Sequence, residues 1–152
     1  MDVLTQFIVF TLDDLRLGLE ISCVDRVIPI IETKPLPKAP EIITGVINLH
    51  GKIIPVADIR KRIGLTPKAA DLNDKLIIAN TSKRKIAVIA DSVASVVDTS
   101  ERDITAAQDV VPGLSHVEGI IRLNDGIVLI HNLDKFLSIE EEAMLNEAIE
   151  KQ

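Results

Sequence analysis

GVINLHGKIIPVADIRKRIG, residues Gly45–Gly64, reads as a strand, a two-residue turn at His50-Gly51, a second strand and a short basic helix. Aliphatic runs on both sides of a short turn are the mark of a β-hairpin. The pattern returns without a gap at Gly119–Ser138, GIIRLNDGIVLIHNLDKFLS. A hairpin with a helical exit, built twice in one short chain, predicts two similar halves.

The echo extends upstream. FIVFTLDDLRLGLEISCVDRVI (Phe7–Ile28) lies on LIIANTSKRKIAVIADSVASVV (Leu76–Val97), with Phe7 on Leu76, Leu17 on Ile86, Val24 on Val93 and Val27 on Val96. The offset is 69 residues here and 74 between Gly45 and Gly119, so the second half carries a longer connection. The halves are expected at about 7–65 and 74–138, with a C-terminal helix at about 139–151.

At 152 residues the chain suits a single compact unit, and 47% hydrophobic residues can bury a real core. Aromatic residues make up only 2%, so Ile, Val and Leu must pack that core, which favours sheet. The same scarcity argues against base stacking. A net charge of −6 opposes phosphate backbones, so no nucleic-acid partner is expected. The basic triplet Arg60-Lys61-Arg62 reads as a solvated helix face. One cysteine, Cys23, allows no internal disulfide and suits a reducing cytoplasm. No signal peptide and no apolar run long enough to enter a bilayer is visible.

Along the chain, Phe7–Leu12 and Leu15–Ile21 form a hairpin around Asp13-Asp14. Cys23–Ile28 reads as one or two helical turns, with Val24, Val27 and Ile28 on one stripe, and Ser92–Val97 as its counterpart. Four prolines between Pro29 and Pro40 mark an extended crossing loop. Pro55, inside the second strand of the opening hairpin, predicts a bulge or an edge there. Asp58 is placed to cap the basic helix and Gly64 to end it. Thr66–Asn73 separates the halves, and Lys75–Asn80 pairs with Lys85–Asp91. Pro112-Gly113 reads as a turn, and Asn124-Asp125-Gly126 as a hairpin turn. Ser138 and Glu141 form a capping box for a last helix with a stripe of Ile139, Ala143, Leu145 and Ile149.

No catalytic constellation emerges. His50, His116 and His131 lack ligand spacing, and one cysteine makes no thiolate site, so neither metal nor cofactor is expected. Cys23 reads as a packing residue, and Asp58 and Asp91 as turn caps. Exposed aliphatic residues lining a crevice between two barrels would accept an apolar helix face. The candidates are Ile21, Val24 and Ile28, with Val93, Val96 and Val97 opposite. The alternative use of that crevice is as a small-molecule sensor.

The stretches Phe7–Leu12, Gly18–Val27, Pro40–Arg60 and Gly119–Ser138 resemble the CheW family of chemotaxis coupling proteins. The likeness runs from about Phe7 to Asn146, and the block Gly45–Arg60 is its most specific part. The resemblance implies a mainly β fold with short helices: two pseudo-repeated five-stranded barrels sharing a core, plus the C-terminal helix. It implies a non-enzymatic, cytoplasmic adaptor recruited to receptor arrays at the inner face of the membrane. Its implied partners are the cytoplasmic tips of methyl-accepting chemoreceptors and the regulatory domain of a CheA-type histidine kinase. One domain without a receiver points to the CheW rather than the CheV type.

By resemblance, receptor contact falls on Ile21, Val24, Arg26, Asn48, His50 and Val96, and kinase contact on Gly45 and Lys52. Where Arg26 and His50 stand, the family usually carries Glu and Arg, expected to face each other as an ion pair. A neutral His50 could still accept a hydrogen bond from the Arg26 guanidinium, whereas a protonated one would repel it.

Overall fold

The computed structural model describes residues 4–106 and 117–150. Its strands are β1 (Leu4–Leu12), β2 (Leu15–Glu20), β3 (Val24–Pro29), β4 (Ile43–Leu49), β5 (Lys52–Ala57), β6 (Lys75–Asn80) and β7 (Lys85–Ala90), followed by β8 (Ser92–Ser100), β9 (Ile104–Ala106), β10 (Val117–Leu123) and β11 (Gly126–His131). The α-helices are α1 (Ile59–Ile63) and α2 (Ile139–Glu150), with short 3-10 turns at Ile21–Cys23, Glu101–Asp103 and Leu133–Lys135.

Two sheets result, ordered β8-β1-β2-β11-β10-β9 and β3-β6-β7-β5-β4. Strand by strand, the first five members of one match the five of the other under the sequence repeat. The parallel joints coincide too: β2 meets β11 at Gly18↔Ile130, and β7 meets β5 at Ala87↔Val56. Each sheet therefore takes its first hairpin from one sequence half and its second from the other. The sixth strand, β9, was not visible in the sequence.

Alternating side chains of one run serve different clusters, which is why the runs are apolar throughout. Phe7 and Val9 point into a cluster with Ile121, Val128 and Ile130. Ile8, Phe10 and Leu12 point the other way, into a large cluster shared with Ile77, Ala79, Ile86 and Val88 of the second sheet. Ile47, Ile54, Val56, Leu76 and Ile78 form the second sheet's own cluster. Each sheet thus curls around a private core, and the two share a third.

Gly45 and Gly119 are equivalent under the repeat, and each follows a register shift, at Ile43/Gly45 and Val117/Gly119. A Cβ on Gly45 would stand 2.8 Å from Thr33 Cγ2 and closer still to Lys34 O. One on Gly119 would stand 3.1 Å from Thr105 O and closer to Ile104 Cγ2. Both glycines therefore admit an outer segment against the sheet: Lys34, bridged to Val46, in one case and β9 in the other.

Several expectations need correction. Cys23–Ile28 and Ser92–Val97 are not helical turns; they belong to a 3-10 turn running into β3 and to β8, each an edge strand. Pro55 carries no bulge: it pairs with Val46 in a strand whose ladder to β7 is formed at Val56 and Ala57. In α2, Ile139 is exposed, and the inward residues are Leu145, Ala148 and Ile149. The Pro112-Gly113 turn lies outside the described residues.

The caps hold. Asp58 accepts from Arg60 N at 3.0 Å, and Gly64 ends α1 at φ +79°. Ser138 and Glu141 exchange the two bonds of a capping box, at 3.1 and 2.9 Å.

Candidate functional site: two edge strands and a hairpin turn

Ile21 opens the 3-10 turn that leads into β3, and Cys23 closes it by donating from Sγ to Glu20 O at 3.0 Å. Burial pushes the Cys23 thiol up, and the nearby Glu20 charge adds to it, which keeps the sulfur a packing group. Cys23 and Val24 pack against the central cluster from the second sheet's edge; Val93 packs against the same cluster from β8. Other apolar side chains face outward: Ile21, ahead of β3, and Val27 within it are each 37% exposed, and Val96 on β8 is 50% exposed. The shared cluster thus brings β3 and β8 to its border, each with apolar side chains left for solvent.

β3 carries Arg26, paired in register with Ile78. Its guanidinium lies 3.6 Å from Asp25, which also takes Lys85 Nζ at 3.2 Å. The Lys85 bond holds the Asp25 carboxyl below the usual carboxylate range.

Asn48, His50, Gly51 and Lys52 form the β4–β5 turn. His50 and Gly51 both have positive φ, +52° and +84°, the backbone of a type I′ turn that matches the twist of its strands. Asn48 Oδ1 accepts from Gly51 N at 2.9 Å, so this residue secures the turn. No hydrogen bond or ion pair joins Arg26 to His50 among the described residues; the expected facing pair is not formed in this structure. Lys52 is exposed, whereas Gly45 is buried beneath Lys34. A partner could sense Gly45 only through that overlying segment.

One centre was missed from sequence. Arg60, read as a solvated residue, is 3% exposed. Its guanidinium pairs with Asp13 at 2.9 Å and with Asp91 at 2.5 Å. Asp91 also takes Lys68 Nζ at 3.3 Å and the Asp13 N–H at 2.7 Å, and Lys68 reaches Asp74 at 3.2 Å. Asp91 is therefore no simple turn cap. Burial alone would lift its carboxyl, but Arg60 and the Asp13 N–H hold it below the usual range. A pocket of about 200 Å³ beside this cluster is lined by the paired charges and by Ile30, Thr33, Thr44, Ala70 and Ile89. Arg60's partners stand far away in sequence, so no local pattern could have found them.

Among the described residues no group of His, Cys, Asp and Glu is arranged to hold a metal ion, and no helix is long and apolar enough to cross a membrane.

The family model for the CheW-like domain matches residues 6–141. The chain is 25% identical to the chemotaxis protein CheW of Treponema pallidum, over 90% of this chain and 84% of that one. It is 27% identical to the chemotaxis protein CheW of Thermotoga maritima, over 97% of each. The crystal structure of the scaffolding protein TtCheW from Thermoanaerobacter tengcongensis superposes with a TM-score of 0.82 at 31% identity, covering 93% of this chain and 96% of that one.

Proposed function

This chain belongs to the CheW-like domain family, and from that premise we propose a non-catalytic adaptor that couples chemoreceptors to a CheA-type histidine kinase in chemotaxis or chemotaxis-like signalling. The observation that carries the reading is the match over nearly the whole chain to proteins named for chemotaxis and for scaffolding. The physical form agrees with it. Two rigid, aliphatic-cored sheets offer outward-facing valines and isoleucines along their edges, and such surfaces suit docking rather than chemistry.

The helical receptor tip docks against Ile21 and Val24 on one side and Val96 on the other. Arg26 and the Asn48–His50 turn add polar contacts at the rim. The kinase regulatory domain meets the hairpin end at Lys52 and is sensitive to Gly45 through the Lys34 segment. The protein works in the cytoplasm, recruited to receptor arrays. The small-molecule reading of the crevice is disfavoured, because aliphatic side chains with few polar groups among them give a small ligand little specificity.

Reconstitution tests the reading. Added to a chemoreceptor and a CheA-type kinase, the protein should assemble a ternary complex and place kinase activity under receptor control. Absence of a ternary complex at micromolar concentrations would sink it.

A further inference from the structure

The two halves are not equivalent where their edge strands begin. Under the repeat, Arg60 corresponds to Asp134, Asp13 to Ser82, Asp91 to Ser22 and Asp58 to Asn132. The last two caps are interchangeable: Asp58 accepts from Arg60 N, and Asn132 from Asp134 N at 3.0 Å. The contact from cap to turn is also repeated, as Arg60 with Asp13 in one half and Asp134 with the Ser82 N–H in the other. The third member is not. Asp91 completes a half-buried charge cluster around the buried Arg60 guanidinium, whereas Ser22 offers only a hydroxyl.

That difference falls just before the two edge strands, β8 and β3. Asp91 immediately precedes β8. Its N–H donates to Thr11 O at 2.9 Å, its carboxylate takes Arg60, Lys68 and the Asp13 N–H, and the next hydroxyl, Ser92 Oγ, meets Thr11 Oγ1 at 2.7 Å. The β1–β8 register then shifts between Val9 and Phe10, with Val93 opposite Phe10 and Ser95 opposite Val9. So the backbone that presents Val93 and Val96 leaves an anchored point and crosses a bulge within three residues. A buried guanidinium needs its counter-charge, so this anchor cannot slide without exposing or stranding Arg60.

We infer that Asp91, held by Arg60, is a positioning residue for the β8 wall of the receptor groove, while β3, lacking that clamp, is the wall free to adapt. Asp91 touches no partner itself; it acts by fixing where Val93 and Val96 stand. The inference rests on the receptor-groove reading for its consequence in binding, but not for its structural content.

The test uses the full chain with methyl-labelled valines. Asp91→Asn should move the Val93 and Val96 resonances and leave Val27 on β3 in place. It should weaken binding of a helical receptor-tip fragment about tenfold, while affinity for the kinase regulatory domain stays within about twofold. Unmoved Val93 and Val96 signals overturn the inference, as does a parallel loss of both partners, which marks a general loss of structure. Should Asp91→Asn not fold, Lys68→Met is read in the same way. It removes the outer cation without stranding Arg60, and a smaller displacement confined to the same two valines is expected; no displacement overturns the inference. If the unaltered protein binds neither partner, the adaptor reading falls, while the methyl shifts still judge the anchor.

Discussion

Arg60 shows how far one side chain can depart from what its neighbours suggest. It sits in a basic triplet on a five-residue helix, yet its guanidinium is almost fully buried against carboxylates 47 and 31 positions away, while Arg62 is half-buried over Phe136 and pairs with Glu141. Removing a partner from a buried ion pair costs more than the pair contributes, because the remaining charge is stranded. Asp91→Asn should lower the unfolding free energy by about 2 kcal/mol, less than a fully buried pair because Arg60 keeps Asp13. Urea titration measures it. The sign with pH follows from the depressed carboxyls of Asp91 and Glu141. The stability they lend is complete above the unfolded carboxylate range, about pH 4, and is lost as pH falls through their lower folded values. The Asp91→Asn variant should therefore show a flatter acid limb, seen in urea midpoints from about pH 6 down to about pH 3. No bond joins Arg26 to His50, so Arg26→Ala and His50→Ala should have effects on receptor-fragment affinity that add within about 0.5 kcal/mol. A larger coupling energy in the double variant would mean that the two meet once the receptor is bound.

At the scale of elements, legibility followed the locality of the signal. The β4–β5 and β10–β11 hairpins, both caps and the Ser138 box were plain in the sequence because turn and cap chemistry lies within a few residues. β3 and β8 were misread for a specific reason. Each contains or faces a register shift, at Val24/Arg26 and opposite Val9/Phe10, which breaks the period of two. The half-buried residues then fall four apart, Val24 with Ile28 and Val93 with Val97, a spacing that copies a helical stripe. The paired glycines give a graded prediction. Gly45→Ala meets backbone at Lys34, whereas Gly119→Ala first meets the Cγ2 methyl of the Ile104 side chain. Gly45→Ala should cost about 2–3 kcal/mol and speed hydrogen exchange at the Lys34 N–H; Gly119→Ala should cost less. Equal costs in denaturant titrations would contradict that ranking. Ser138→Ala, which opens the capping box of α2, should cost about 1 kcal/mol by the same titration.

At the scale of the molecule, the repeat predicts two like units, and the two sheets are alike strand for strand, but each is woven from both sequence halves. That exchange could not be read from periodicity, because the parallel joints β2–β11 and β5–β7 link strands more than 30 residues apart whose apolar patterns would fit either partner. The adaptor reading gives a separable prediction here: Val96→Asp, on an edge strand, should weaken receptor-fragment binding at least about tenfold and leave the melting temperature within a few degrees. The weave itself has a consequence for how the chain can be divided. The Thr66–Asn73 linker contains no strand, yet a cut at Ala69-Ala70 leaves each fragment with a β-hairpin whose sheet neighbours belong to the other. Neither fragment should fold by itself; mixed, the two should find each other and restore the native circular dichroism spectrum. Cut there, the chain should act as a split reporter, its halves signalling their encounter by folding.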